Sequence, residues 1–213
     1  GCADQDEPVV IASFEMQPRE TIKRLLAQWI VRAEPSRADV REFLDWAQGR
    51  IWIYDQLGHC ESSKLFAVMR YAADRLKVRH FLVDSLMRVV RGTDDYNSQK
   101  NTVDGMIGIA KDTGMHVHLV AHSKKPQHGE KQSRYSIKGA AEISDLAFNV
   151  VIIERPESDS GERPDDQPDA WLRVAKQRNH NWKGSARLFL QGETGAFSDH
   201  QKVLNVDFGT RRV

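Results

Sequence analysis

The chain has 213 residues, with 31 Lys and Arg against 30 Asp and Glu, a net charge of +1. That balance excludes a bulk basic field, so any contact with nucleic acid must come from a local patch. No apolar run approaches the roughly 18 residues of a membrane span, and the two cysteines, Cys2 and Cys60, point to a reduced cytoplasmic protein more than to a disulfide scaffold.

The length suits one α/β domain. Val9-Val10-Ile11-Ala12 is a short β-branched run, followed by Ser13-Phe14-Glu15-Met16. Pro18 then opens a helix, where its missing N–H costs nothing, and Ile22, Leu25, Leu26, Trp29 and Ile30 recur at amphipathic spacing. Val40, Phe43, Leu44 and Ala47 repeat that pattern up to Gly49. Ile51–Tyr54 reads as a strand. A third helix carries Leu65, Phe66, Met69, Ala72, Ala73 and Leu76, with Ser62 or Ser63 expected as its N-cap.

His80-Phe81-Leu82-Val83-Asp84 reads as a buried strand ending in a carboxylate. A helix with Val103, Met106, Ile107 and Ala110 follows, then a strand over 115–121 that ends at His122. A Gly- and Lys-containing loop leads to a short helix near 140–146 and a strand over 150–153. Segment 156–169 holds six acids, one Arg, three prolines and a glycine, and reads as an exposed acidic loop. Strands at 171–175 and 187–190 precede a weakly patterned tail. Strands alternating with helices predict a mostly parallel sheet covered on both faces, with hairpin-like strands added at the end.

Ligands of open α/β sheets bind beyond the carboxyl ends of the strands. Glu15, Asp84 and His122 all fall at such ends. Each alone also suits a solvated strand end or a structural residue, but three at successive strand ends form a pattern. Four apolar residues and then Asp84 have the form of a metal strand in nucleotide hydrolases, where the carboxylate holds Mg²⁺ beside the phosphates. Glu15 is placed to orient an attacking water or take its proton, and His122 to sense the γ-phosphate. Lys176 and Arg178 near the end of a late strand read either as solubilising charges or as an arginine finger with a companion cation. Residues 122–138 carry five cations and one acid, a local charge of +4. Arg134, Lys138 and Gly139 in that stretch suit phosphate contacts, or simply a solvated loop.

Taken in order, these segments resemble the motor domain of DnaB-type replicative helicases, and most of all the phage primase-helicase and Twinkle branch. The resemblance runs from about residue 9 to residue 198. It rests on Ser13–Met16, the strand ending at Asp84, Leu119–Pro126, residues 136–146 and Ala175–Asn179. It implies a RecA-like fold and hydrolysis of ATP or another NTP with Mg²⁺ at the subunit interfaces of a hexameric ring that translocates on single-stranded DNA. A primase domain or protein is the further partner that it implies. In that frame Glu15 is the catalytic base, Asp84 the metal-strand Asp, His122 the sensor, Arg178 the finger with Lys176 beside it, and Lys138, Gly139 and Arg134 the DNA-facing residues.

One departure matters. No Gly-x-x-x-x-Gly-Lys-Ser/Thr occurs in the chain, so the backbone nest that cradles phosphates is not encoded in it. In the resembled family that loop lies just upstream of the position where residue 1 falls, which makes Gly1–Gln5 the tail of the following helix. The chain is therefore expected to be the C-terminal part of a longer protein, to form a single motor domain over 1–213, and to be inactive alone. Two alternatives stay open: a RecA-like module that binds DNA or a partner without nucleotide chemistry, and another RecA-family ATPase.

Overall fold

The computed structural model describes residues 2–32, 34–90, 95–122, 142–156, 167–180 and 182–199. These form two compact units. The first takes in the residues up to Ile22 and from Glu42 to Ala147, the second Lys23–Arg41 and the residues from Phe148 onward.

A 3-10 turn, Cys2–Gln5, opens the first unit and leads into β1 (Val9–Ser13). Helix α1 (Pro18–Ile30) begins at the expected proline, and α2 (Arg37–Ala47) follows; the division between units falls within both. Then come β2 (Ile51–Ile53), α3 (Ser62–Arg75), β3 (His80–Asp84), α4 (Tyr96–Thr113), β4 (His116–Val120) and the short α5 (Glu142–Leu146). The four strands form a parallel sheet in the order β2-β1-β3-β4. Side chains alternate faces along a strand, and here Val10 and Ala12 of β1 and Phe81 and Val83 of β3 turn inward, each 3% exposed or less. They meet Leu65, Met69 and Ala72 of α3 and Met106 and Ile109 of α4 in one apolar core.

Local signals explain the helix ends. Asp95 accepts from the Ser98 amide at 2.9 Å and caps α4, which stops at Gly114 in the left-handed conformation (φ 71°). Gly105, also in α4, sits where a Cβ would lie 2.4 Å from the Phe66 ring, so its missing side chain permits that close packing of α3 on α4. Helix α2 opens with a reciprocal box: Asp39 accepts from the Ser36 amide at 2.7 Å, and the Asp39 amide donates to Ser36 Oγ at 3.2 Å. The Ser36 amide, with its hydroxyl, holds the Asp39 carboxyl below its usual range. The N-cap of α3 differs from expectation. It is Glu61, whose carbonyl accepts the first helical bond from Leu65 at 3.0 Å, and its side chain makes no cap bond. The two serines already lie inside the helix.

In the second unit β5 (Asn149–Glu154), β6 (Ala170–Gln177), β7 (Ser185–Gln191) and β8 (Ala196–Ser198) form an antiparallel sheet in chain order. These are the hairpin-like strands expected at the end, extended by β8, which the sequence pattern did not show. Between β5 and β6 the register shifts: Val150 faces Lys176 while Val151 faces Val174, so Ala175 is the extra residue of a β-bulge. No described helix is long and apolar enough to cross a membrane.

Candidate functional site at the strand ends of the parallel sheet

Parallel pairing sets Ser13, Asp84 and Val120 in one row across β1, β3 and β4. The three strands therefore finish together, and the residues just past them share one edge of the sheet. The Phe14 amide donates to the Asp84 carbonyl at 2.8 Å, which carries the β1–β3 ladder one step further. Phe14 is itself 1% exposed and packs edge-on against Tyr54, with ring centroids 6.3 Å apart. The Phe14 carbonyl accepts from the Gly58 amide at 2.9 Å, and the Arg88 carbonyl accepts from the Cys60 amide at 2.9 Å. The backbone on both sides of Glu15 is thus anchored before any ligand arrives.

Two carboxylates stand on this platform. Asp84 is half-buried, and its Oδ2 accepts from Ser13 Oγ at 3.3 Å. Glu15 is more exposed; its Oε1 accepts from Arg88 Nε at 3.0 Å and from Ser85 Oγ at 3.4 Å. Ser85 is fully buried and Arg88 ends a 3-10 turn, Leu86–Arg88. Cys60, behind the site, is buried, and burial pushes its thiol up, as expected for a structural cysteine.

Of the residues singled out from sequence, Glu15 and Asp84 are brought to one edge. His122 lies two residues past β4, exposed, and among the described residues no hydrogen bond joins it to either carboxylate. Lys176 lies in β6 and Arg178 just beyond it, both in the second unit. The Arg178 amide donates to the Phe148 carbonyl at 3.0 Å, and its guanidinium sits 4.6 Å from the centroid of the Phe148 ring. Arg134, Lys138 and Gly139 lie outside the described residues, as does most of the acidic loop. Sequence reasoning assigned no role to Ser13, Ser85 or Arg88. The signals were present as a hydroxyl two residues before Glu15 and as Ser and Arg one and four residues after Asp84.

The donor set tests what the edge can hold. Carboxylate and hydroxyl oxygens from Asp84 and Ser13 are the hard ligands that Mg²⁺ takes, directly or through its waters. The residues present therefore fit that ion.

This edge defines a nucleotide-hydrolase class of α/β protein, and comparison with known families agrees. Residues 1–128 match the family model described as an AAA domain, more than half of the chain, and the chain belongs to that family. Its fold is similar to that of a solved helicase-type ATPase domain, with a TM-score of 0.74 at 18% identity over 92% of this chain and 75% of that one. It is equally similar to a DnaB-like replicative helicase whose structure describes its interactions with primase: TM-score 0.74 at 17% identity, over 92% of this chain and 52% of that one. The chain thus spans about half the length of that helicase. At these identities the likeness is one of fold, and it matches the RecA-like, DnaB-type architecture expected from the motifs.

Proposed function

We propose that the protein to which this chain belongs is an ATP-driven replicative DNA helicase, and that this chain supplies most of its motor. The observation that carries the reading is the convergence of Glu15 and Asp84 on one sheet edge, each carboxylate held by a hydroxyl donor. Asp84 would hold Mg²⁺, directly or through its waters, and the ion when bound neutralises charge on the transferred phosphoryl group. Ser13 fixes the rotamer of Asp84. Glu15, oriented by Arg88 and Ser85, aligns a water and takes its proton as that water attacks. His122, at the same edge, would register the γ-phosphate and pass its loss to the basic stretch that follows. Arg134, Lys138 and Gly139 in that stretch would contact the phosphates of single-stranded DNA, which a local charge of +4 favours. Arg178, with Lys176, would reach the γ-phosphate of a neighbouring copy in a hexameric ring. A primase is the further partner of such a ring.

The test is subunit mixing in the complete gene product. Arg178→Ala and Glu15→Gln should each abolish DNA-stimulated hydrolysis, and mixed rings should recover part of it. Some mixed interfaces then pair an intact Glu15 with an intact Arg178 from the next subunit. Near-normal hydrolysis by Arg178→Ala alone ends the finger assignment, and normal hydrolysis by Glu15→Gln ends the motor reading of this edge.

A further inference from the structure

At the opposite edge of the parallel sheet, where β3 and β4 begin, three histidines meet. Parallel register sets His80 beside His116, and His118, two residues on, returns to the same face. The rings of His80 and His118 stack with centroids 5.3 Å apart, and those of His116 and His118 lie 4.4 Å apart. His80 Nδ1 and His118 Nε2 are 3.1 Å from each other. The N-terminal 3-10 turn brings a thiol to the same place: Cys2 Sγ and one ring nitrogen from each of His80 and His118 all lie within 4.8 Å of one another. The backbone beneath is firmly tied. The Pro8 carbonyl accepts from the Arg79 and His80 amides, and the His116 amide donates to the Arg79 carbonyl at 2.8 Å.

From this geometry we propose that Cys2, His80 and His118 form a Zn²⁺ site that fastens the N-terminal turn to the β3–β4 pair. Zinc binds thiolate at about 2.3 Å and imidazole at about 2.0–2.1 Å, so ligand atoms around a tetrahedral ion stand roughly 3.3–3.6 Å apart. The trio is within small side-chain rotations of that spacing. One sulfur and two imidazole nitrogens suit zinc and not the hard cations that the carboxylate edge takes. The His118 imidazole need not shed a proton to bind: burial, then repulsion from His116 and His80, holds it at about 4. Coordination does release a proton to solvent from the Cys2 thiol. Three protein ligands leave a fourth position for water. None of these residues belongs to the carboxylate edge, so the site acts on the attachment of the turn and not on hydrolysis.

The test uses the 213-residue chain, stripped with chelator and titrated with Zn²⁺ or Co²⁺. One equivalent of Zn²⁺ is expected to raise the melting temperature and to shield Cys2 from alkylation. Co²⁺ should give a thiolate charge-transfer band together with the visible bands of a tetrahedral ion. Cys2→Ser, His80→Gln and His118→Gln should each weaken Zn²⁺ binding by more than the roughly 10–100-fold that follows loss of an outer-sphere partner. A cobalt spectrum that keeps its charge-transfer band in Cys2→Ser overturns the proposal, as does zinc affinity unchanged by both histidine substitutions. Alkylation of Cys2 in the wild-type chain remains decisive even where a variant fails to fold, because equal rates with and without Zn²⁺ would also overturn it.

Discussion

Arg88 Nε donates to Glu15 Oε1 at 3.0 Å, across the gap between the end of β1 and the 3-10 turn after β3. The two side chains are 48% and 38% exposed. An ion pair so wetted contributes under about 1 kcal/mol to stability. Its consequence is therefore directional, since it fixes where the Glu15 carboxylate points. Arg88→Gln is expected to leave the melting temperature nearly unchanged and to lower kcat for ATP by about tenfold to a hundredfold, the cost of a misplaced catalytic group. KM should hold, and Arg88→Lys should restore part of the rate. A kcat untouched by Arg88→Gln would remove Arg88 from the positioning of Glu15.

Glu15→Gln keeps the shape of the side chain and its acceptor oxygen but cannot take a proton. In the complete gene product it should cut turnover by ~10²–10⁴ while leaving nucleotide affinity close to wild type. Equilibrium binding of a fluorescent nucleotide measured beside steady-state hydrolysis separates the two effects. Parallel loss of affinity and turnover would mean that Glu15 contributes to binding rather than to the attack.

The isolated 213-residue chain should bind ATP weakly. It encodes no phosphate-cradling Gly-x-x-x-x-Gly-Lys-Ser/Thr loop, and Mg²⁺ held by Asp84 replaces few of the contacts such a loop makes. Calorimetry should detect no micromolar affinity. Tight binding would show that phosphates are held by some other set of backbone amides within this chain.

Acid should weaken the metal-free chain through its histidine cluster. Burial first, then repulsion from His116 and His80, lowers His118 to about 4, and burial, followed by His80, lowers His116 as well. The unfolded chain, with imidazoles near 6.5, then binds more protons than the folded one between about pH 6.5 and 4. The neutral cluster therefore favours folding fully above about pH 6.5, and that advantage drains away as the pH falls toward 4. Urea midpoints measured across this window in chelator-treated protein should decline less steeply for His118→Gln than for wild type. Equal slopes would sink the assignment.

Much of the fold could be read in advance because its strands and helices carry strong periodic signals. Val9–Ala12 and His80–Val83 are short apolar runs, and α3 and α4 place Leu65, Met69, Val103 and Met106 at helical spacing. Strand β8 could not: Ala196-Phe197-Ser198 is three residues long and owes its place to pairing with β7. The start of α2 was hidden in the Ser36–Asp39 exchange, a bonding pattern with no apolar content. At the candidate site, Glu15 and Asp84 were legible as acids after apolar strands. Arg88 was not, because a cation in an irregular turn has no period, and only the ladder between β1 and β3 brings it to Glu15. Cys2 is separated in sequence from His80 and His118, so no ligand spacing announced that cluster.

The bulge at Ala175 bears on how this segment can change over evolutionary time. Residues two apart on a regular strand share a face, yet Val174 and Lys176 stand opposite neighbouring residues of β5 and so take opposite faces. Loss of Ala175 would straighten β6 and leave Lys176 and Arg178 facing as they do now. Gain of one residue between Val150 and Val151 would also straighten the pair of strands, but it would bring Lys176 round to the face of Val174. Descendants of this chain can therefore shorten β6 by one residue at 175 without redirecting either cation, whereas lengthening β5 by one at the facing point turns Lys176 and Arg178 away together.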